Sequence, residues 1–152
     1  MICVEASRHI AATPDRIYGL ISDLPRMGEW SPENTGGRWV TGGGPVVGAA
    51  FKGTNQHKWI RWTTDVKVIK AEPGEQFEFI VSFGPLKNIV TWGYRLEPDN
   101  TGTVVTEYHH DHRNNALRTI VGLTSGIRHP DEHYKAGMEH TLQRLAQALG
   151  TT

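Results

Sequence analysis

The chain has a single cysteine, Cys3, so no intrachain disulfide can form and no thiolate cluster can hold zinc or an iron–sulfur centre. A reducing compartment fits that scarcity. Nowhere do about 18 apolar residues run together, the minimum for a membrane-spanning helix. The opening MICVEASRHI also lacks the charged segment and apolar run of a secretory leader. The expectation is a cytoplasmic protein with no membrane span. Charge of one sign is missing too: 16 basic side chains balance 16 acidic ones, and no basic stripe is interleaved with aromatics, so nucleic acid is not an expected partner. No repeat, linker or low-complexity segment interrupts the 152 residues, and one domain over 1–152 is expected. With 38% hydrophobic and 21% charged residues, the composition excludes disorder driven by charge and supports a packed core.

What is present reads as alternating strands closed by helices. Residues 2–10 alternate, with Val4, Ala6 and Ile10 on one parity and Glu5, Ser7 and His9 on the other. Thr13-Pro14-Asp15 then supplies a capping hydroxyl, a proline suited to the first helical position and an acid in the first turn. Ile17, Leu20, Ile21 and Leu24 follow at helical spacing, and Pro25 breaks the run, giving two short helices or one bent one. From 31 to 48 the chain is rich in Gly and Pro around a short strand at 38–41. Segments 49–55, 59–70, 76–83, 88–97 and 102–112 alternate apolar and polar residues between turn signals and predict an antiparallel meander. Its apolar face carries Trp62, Thr64, Val66 and Val68, then Phe77, Phe79, Val81 and Phe83, then Val90, Trp92, Tyr94 and Leu96.

Residues 113–129, with Gly122, Ser125 and Gly126, read as a lid-like connection, helix or loop. Pro130-Asp131-Glu132 opens a last helix whose Tyr134, Met138, Thr141, Leu142, Leu145 and Leu149 form one stripe before Gly150. At about 1.5 Å per residue it is long enough to cross the concave face of a sheet.

The order strand, paired short helices, antiparallel meander, long C-terminal helix resembles the START-like helix-grip superfamily, in particular its polyketide cyclase/dehydrase-like (SRPBCC) branch. Residues 4–14 resemble that branch's opening, and Glu29-Trp30-Ser31-Pro32 resembles its aromatic-proline corner. The stretch 48–55 with Trp59 and Trp62 resembles its next strand pair, and Glu72-Pro73-Gly74-Glu75-Gln76-Phe77 the turn that follows. The resemblance covers nearly the whole chain. It implies an α+β helix-grip fold, a curved antiparallel sheet wrapped around the long C-terminal helix, with two short helices after the first strand. Similar domains carry lipids, bind hormones or aromatic ligands, or cyclise and dehydrate polyketides, so the fold alone does not choose between binding and catalysis.

Candidate chemistry concentrates on 102–112. With Val105 inward, Glu107, His109 and Asp111 share its face, and Glu107 with His109 or Tyr94 could move protons for enolisation or dehydration. In the opposite phase Val104, Thr106 and Tyr108 are inside and the polar row is solvated. His110 and His112 lie on one side of the strand, as a metal pair would, but a solvated strand end accounts for the run. His129 and His133 are four apart, and Pro130 places His129 at the helix cap, where capping explains it. Asn55 and His57 could sit at a cavity mouth, though 55–58 also reads as a polar turn. No metal and no cofactor are expected.

The aromatic wall, including Trp59 and Phe83, could line a pocket or fill a core, and a curved sheet with one helix favours a partial pocket. The expected ligand-binding set is Asn55, Trp62, Phe77, Phe79, Val81, Trp92, Tyr94, Met138 and Leu142. The leading reading is binding or transport of a hydrophobic lipid-, polyketide- or aromatic-like molecule by a monomer or homodimer. The alternatives are a cyclase/dehydratase-type enzyme using Glu107, His109 and Tyr94, and a protein-interaction module presenting an exposed Trp30–Trp39 region.

Overall fold

The computed structural model describes residues 2–125 and 129–150. Strand β1 (Ile2–Ile10) leads into helix α1 (Pro14–Ile21) and a 3-10 helix, Leu24–Glu29. Strands β2 (Asn34–Thr41), β3 (Ala50–His57), β4 (Ile60–Glu72), β5 (Gln76–Phe83), β6 (Leu86–Asp99) and β7 (Gly102–Asp111) follow, then helices α2 (Asn115–Ser125) and α3 (Pro130–Ala148). All seven strands form one antiparallel sheet in the order β1-β7-β6-β5-β4-β3-β2. This is the helix-grip fold. No helix among the described residues is long and apolar enough to cross a membrane.

The local signals act where they were read. Thr13 Oγ1 accepts the Arg16 N–H at 3.4 Å, and Pro14 takes the first helical position of α1. Ile17, Tyr18 and Ile21 are buried, with the Tyr18 ring edge-on to Phe77 at 6.1 Å. Met138, Thr141, Leu142, Leu145 and Ala146 bury the apolar stripe of α3, which packs chiefly against β1 and β7. At its N-terminal end α3 reaches the far side of the sheet through His133, which hydrogen-bonds Glu33.

Several expectations are corrected. The strand expected at 38–41 begins at Asn34, because Gly36 and Gly37 take positive φ values of 115° and 148° and continue the pairing to β3. A Cβ on Gly37 would lie 2.2 Å from the Lys52 carbonyl oxygen, so this close strand approach depends on glycine. Asn55, Gln56 and His57 belong to β3 and not to a polar turn; the turn is Lys58-Trp59, with Lys58 at φ 56°. Trp59 is therefore 86% exposed and leaves the aromatic wall. Phe83 also leaves it at 45% exposure, beyond a register shift between Val81 and Phe83. The lid-like connection contains helix α2, and its residues 126–128 lie outside the described residues. His129 holds the cap position of α3 but its side chain makes no capping hydrogen bond.

The exposed Trp30–Trp39 patch does not form. Trp30 is buried beneath the Arg26 guanidinium, 5.6 Å from the ring, and Trp39 is half-buried edge-on to Phe51 at 5.3 Å.

Candidate functional site

The register places Tyr94 opposite Glu107, Trp92 opposite His109 and Val90 opposite Asp111 across β6 and β7, with Val4 and Ala6 of β1 on the other flank. Val105, Glu107, His109 and Asp111 thus form one buried row facing α3. The opposite phase is shielded as well, on the outer face, where Thr106 and Tyr108 are buried. Tyr108 lies over Gly93, under the Arg95 guanidinium at 4.9 Å, donates to Glu78 Oε2 and accepts from Gln76 Nε2 at 2.7 Å. Burial on both faces explains why alternation along β7 could be read either way.

Glu107 is a buried carboxyl with one satisfied oxygen. The Tyr94 hydroxyl donates to Oε1 at 3.2 Å, and Oε2 has no partner among the described residues. Desolvation pushes its pKa up to about 8, and the Tyr94 hydrogen bond offsets only part of that. At neutral pH the group therefore carries a proton. Tyr94 is itself held well above its ordinary pKa, by burial first and then by neighbouring Glu107, so it acts as a donor.

His109 sits between two rings, 4.4 Å from Trp92 and 4.4 Å from Tyr134, and its Nδ1 has no partner among the described residues. Desolvation lowers its pKa to about 4, outweighing the attraction of Asp111, so the imidazole is neutral at pH 7. Asp111 closes the row in a bidentate pair with Arg113, Nε–Oδ1 2.9 Å and Nη2–Oδ2 2.8 Å. Burial pushes the Asp111 carboxyl upward, but the Arg113 hydrogen bonds and charge prevail and hold it below its ordinary value. The His109–Tyr134 ring contact links the row to α3.

The expected ligand-binding residues separate into two groups. Phe77, Phe79, Val81, Tyr94, Met138 and Leu142 are packed in the core cluster. Trp92 is half-buried against His109, and Asn55 and Trp62, paired across β3 and β4, are half-buried and line a concavity of about 530 Å³ with Thr54 and Gln56. A smaller concavity of about 230 Å³ lies between the 3-10 helix and His140 and Arg144 of α3. Neither is lined by Glu107 or His109.

His110 and His112 do not form a metal pair: His110 stacks on Tyr108 at 5.2 Å, and His112 Nε2 bonds Thr91 Oγ1 at 2.8 Å. A different set converges: Glu33, His57 and His133, each half-buried, present ligand atoms within 4.8 Å of one another. No local signal announced it, since Glu33 and His133 are 100 positions apart.

Fold and site together define a helix-grip domain with a buried acid–imidazole row under its long helix. The chain belongs to the family described as polyketide cyclase / dehydrase and lipid transport, whose profile matches residues 1–150. The Polyketide_cyc-like protein Cgl2372 of Corynebacterium glutamicum is 34% identical, over 97% of this chain and 83% of that one, with a TM-score of 0.55. CV1439 of Chromobacterium violaceum is 17% identical over 97% of both chains, TM-score 0.71. The di-domain ARO/CYC StfQ of the steffimycin biosynthetic pathway is 17% identical over 97% of this chain and 49% of its own, TM-score 0.74. The last two likenesses are of fold. Among proteins with curated functions, none matches the chain in sequence.

Proposed function

We propose that the chain binds a hydrophobic small molecule of polyketide, aromatic or lipid type that carries at least one hydroxyl or carbonyl group, held at the inner row of β7. The observation that carries this reading is the pair of unpartnered buried atoms, Glu107 Oε2 and His109 Nδ1, on one face of one strand. Each such atom costs about 1–3 kcal/mol when left unpaired. A ligand oxygen would relieve both: protonated Oε2 donates, and neutral His109 offers or accepts a hydrogen bond according to its tautomer. The flanking Trp92, Tyr134 and Tyr94 supply the apolar wall and polar tips that orient such a ligand. The membership in a cyclase, dehydrase and lipid-transport family supports the ligand class.

The test compares 2-naphthol with naphthalene by ligand fluorescence. Wild-type protein is expected to prefer the naphthol by about tenfold, one hydrogen bond's worth, with Glu107→Leu removing the preference and leaving naphthalene binding in place. Equal affinity of wild type for the two probes would defeat the reading.

A second reading is proton-transfer catalysis of the cyclase or dehydratase kind, favoured by one observation: Glu107 and His109 have their pKa values pushed apart, to about 8 and about 4, in adjacent inward positions. In an aldol cyclisation the neutral imidazole takes the proton α to a carbonyl. The enolate carbon then attacks a second carbonyl carbon, and the oxygen released from that double bond takes the Glu107 proton. Dehydration uses the same pair, Glu107 protonating the departing hydroxyl while His109 removes the α-proton. Tyr94 is the positioning residue. Glu107→Gln should abolish turnover of a poly-β-ketone substrate while retaining naphthalene binding; full activity in that variant would exclude Glu107 as the acid.

A further inference from the structure

Outside the β7 row, three side chains from three separate elements meet at the open side of the sheet. Glu33 immediately precedes β2, His57 is the last residue of β3, and His133 lies in the first turn of α3. One carboxylate oxygen, Glu33 Oε1, faces both imidazoles: it lies 3.6 Å from His57 Nδ1 and hydrogen-bonds His133 Nε2. The two rings are perpendicular, 5.2 Å apart.

We propose that Glu33, His57 and His133 bind one divalent transition-metal ion of the zinc type. The donor chemistry is the first argument. Two imidazole nitrogens and a carboxylate oxygen form the three-residue set that holds zinc with a position left for water or ligand. Spacing is the second argument. Bonds of about 2.0–2.2 Å place tetrahedral donors roughly 3.4 Å apart. The Glu33–His57 separation of 3.6 Å is already there, and every donor pair lies within 4.8 Å.

Support behind the donors is the third argument. The Gln56 N–H donates to the Glu33 carbonyl at 2.8 Å, tying the Glu33 backbone to β3 beside His57. The His133 N–H donates to the His129 carbonyl at 3.0 Å, fixing the first turn of α3. Access is the fourth: the side chains are 23–30% exposed, enough for entry of an ion and for an open coordination position. Three other histidines have side-chain hydrogen bonds elsewhere, His9 with Asp99, His112 with Thr91 and His140 with Arg144. The site stands independently of the ligand reading at Glu107.

The experiment uses the full chain, stripped with chelator and dialysed. Zn²⁺ is titrated by calorimetry and Co²⁺ by visible absorption. One equivalent should bind the wild type, with affinity at least about tenfold above that of Glu33→Gln, His57→Ala and His133→Ala, and with tetrahedral Co²⁺ bands that those variants lose. His110→Ala and His112→Ala should bind as wild type does. Equal binding by wild type and the three variants, or loss in the His110 or His112 variant instead, overturns the proposal. Should a variant fail to fold, histidine ring ¹H–¹⁵N spectra of the wild type decide: the first equivalent of Zn²⁺ must shift the His57 and His133 rings, and shifts confined to other histidines refute the site.

Discussion

Tyr94 and Glu107 face each other across the β6–β7 ladder, and the tyrosine hydroxyl satisfies one carboxyl oxygen at 3.2 Å while the other has no partner among the described residues. The pair therefore holds a protonated acid in a dry place, with His109 next along the strand.

That arrangement sets a pH dependence of stability. The folded pKa of Glu107, about 8, lies above its ordinary 4.5, so between those values the unfolded chain has lost a proton that the folded chain keeps, and stability falls as pH rises. For His109 the folded pKa, about 4, lies below 6.5, so between those values stability rises with pH. The two slopes, each on the order of 1 kcal/mol per pH unit, oppose one another from 4.5 to 6.5 and leave Glu107 alone from 6.5 to 8. Thermal melts should show wild type losing stability from pH 6.5 to 8, and Glu107→Gln should remove that loss and expose a rise below pH 6.5.

His109→Phe keeps the ring stack on Trp92 and Tyr134 while deleting the unpartnered Nδ1. Replacing an unsatisfied buried polar atom by carbon is neutral or stabilising. The melting temperature should hold or rise, and affinity for 2-naphthol should fall; a loss of several degrees would mean that His109 has a structural partner.

The Asp111–Arg113 pair is almost fully buried, with side-chain exposures of 6% and 9%. Removing one member strands the other's charge, so Arg113→Met should cost about 3–5 kcal/mol in urea denaturation. The double change Asp111→Leu with Arg113→Met should recover most of that loss.

On the outer face, a Cβ at Gly93 would stand 2.4 Å from the Tyr108 ring and hydroxyl. Gly93→Ala should therefore destabilise by about 1–3 kcal/mol through displacement of Tyr108, and Tyr108→Leu in that background should relieve part of it.

Much of the fold was legible because its signals are local. Thr13-Pro14-Asp15 and Pro130-Asp131-Glu132 start helices at those positions, and β5 spans Gln76–Phe83 as the alternation read it. Local signals failed where the chain's path depends on distant pairing. Gly36 and Gly37 lay outside the strand read at 38–41 and became strand because β3 pairs with them, and Trp30 looked exposed until Arg26 and the packed core covered it.

For the site, the sequence by itself determined that Glu107, His109 and Asp111 share one face of β7, since side chains two apart in a strand always do. Which face is the inner one, and that the opposite face of β7 is shielded as well, came only from the placement of α3 on one side and of Arg95, Gln76 and Glu78 on the other. The convergence of Glu33, His57 and His133 was likewise a product of tertiary structure. Periodicity governs neighbours along one element, whereas a site drawn from three elements exists only after the chain has closed loops as long as 100 residues.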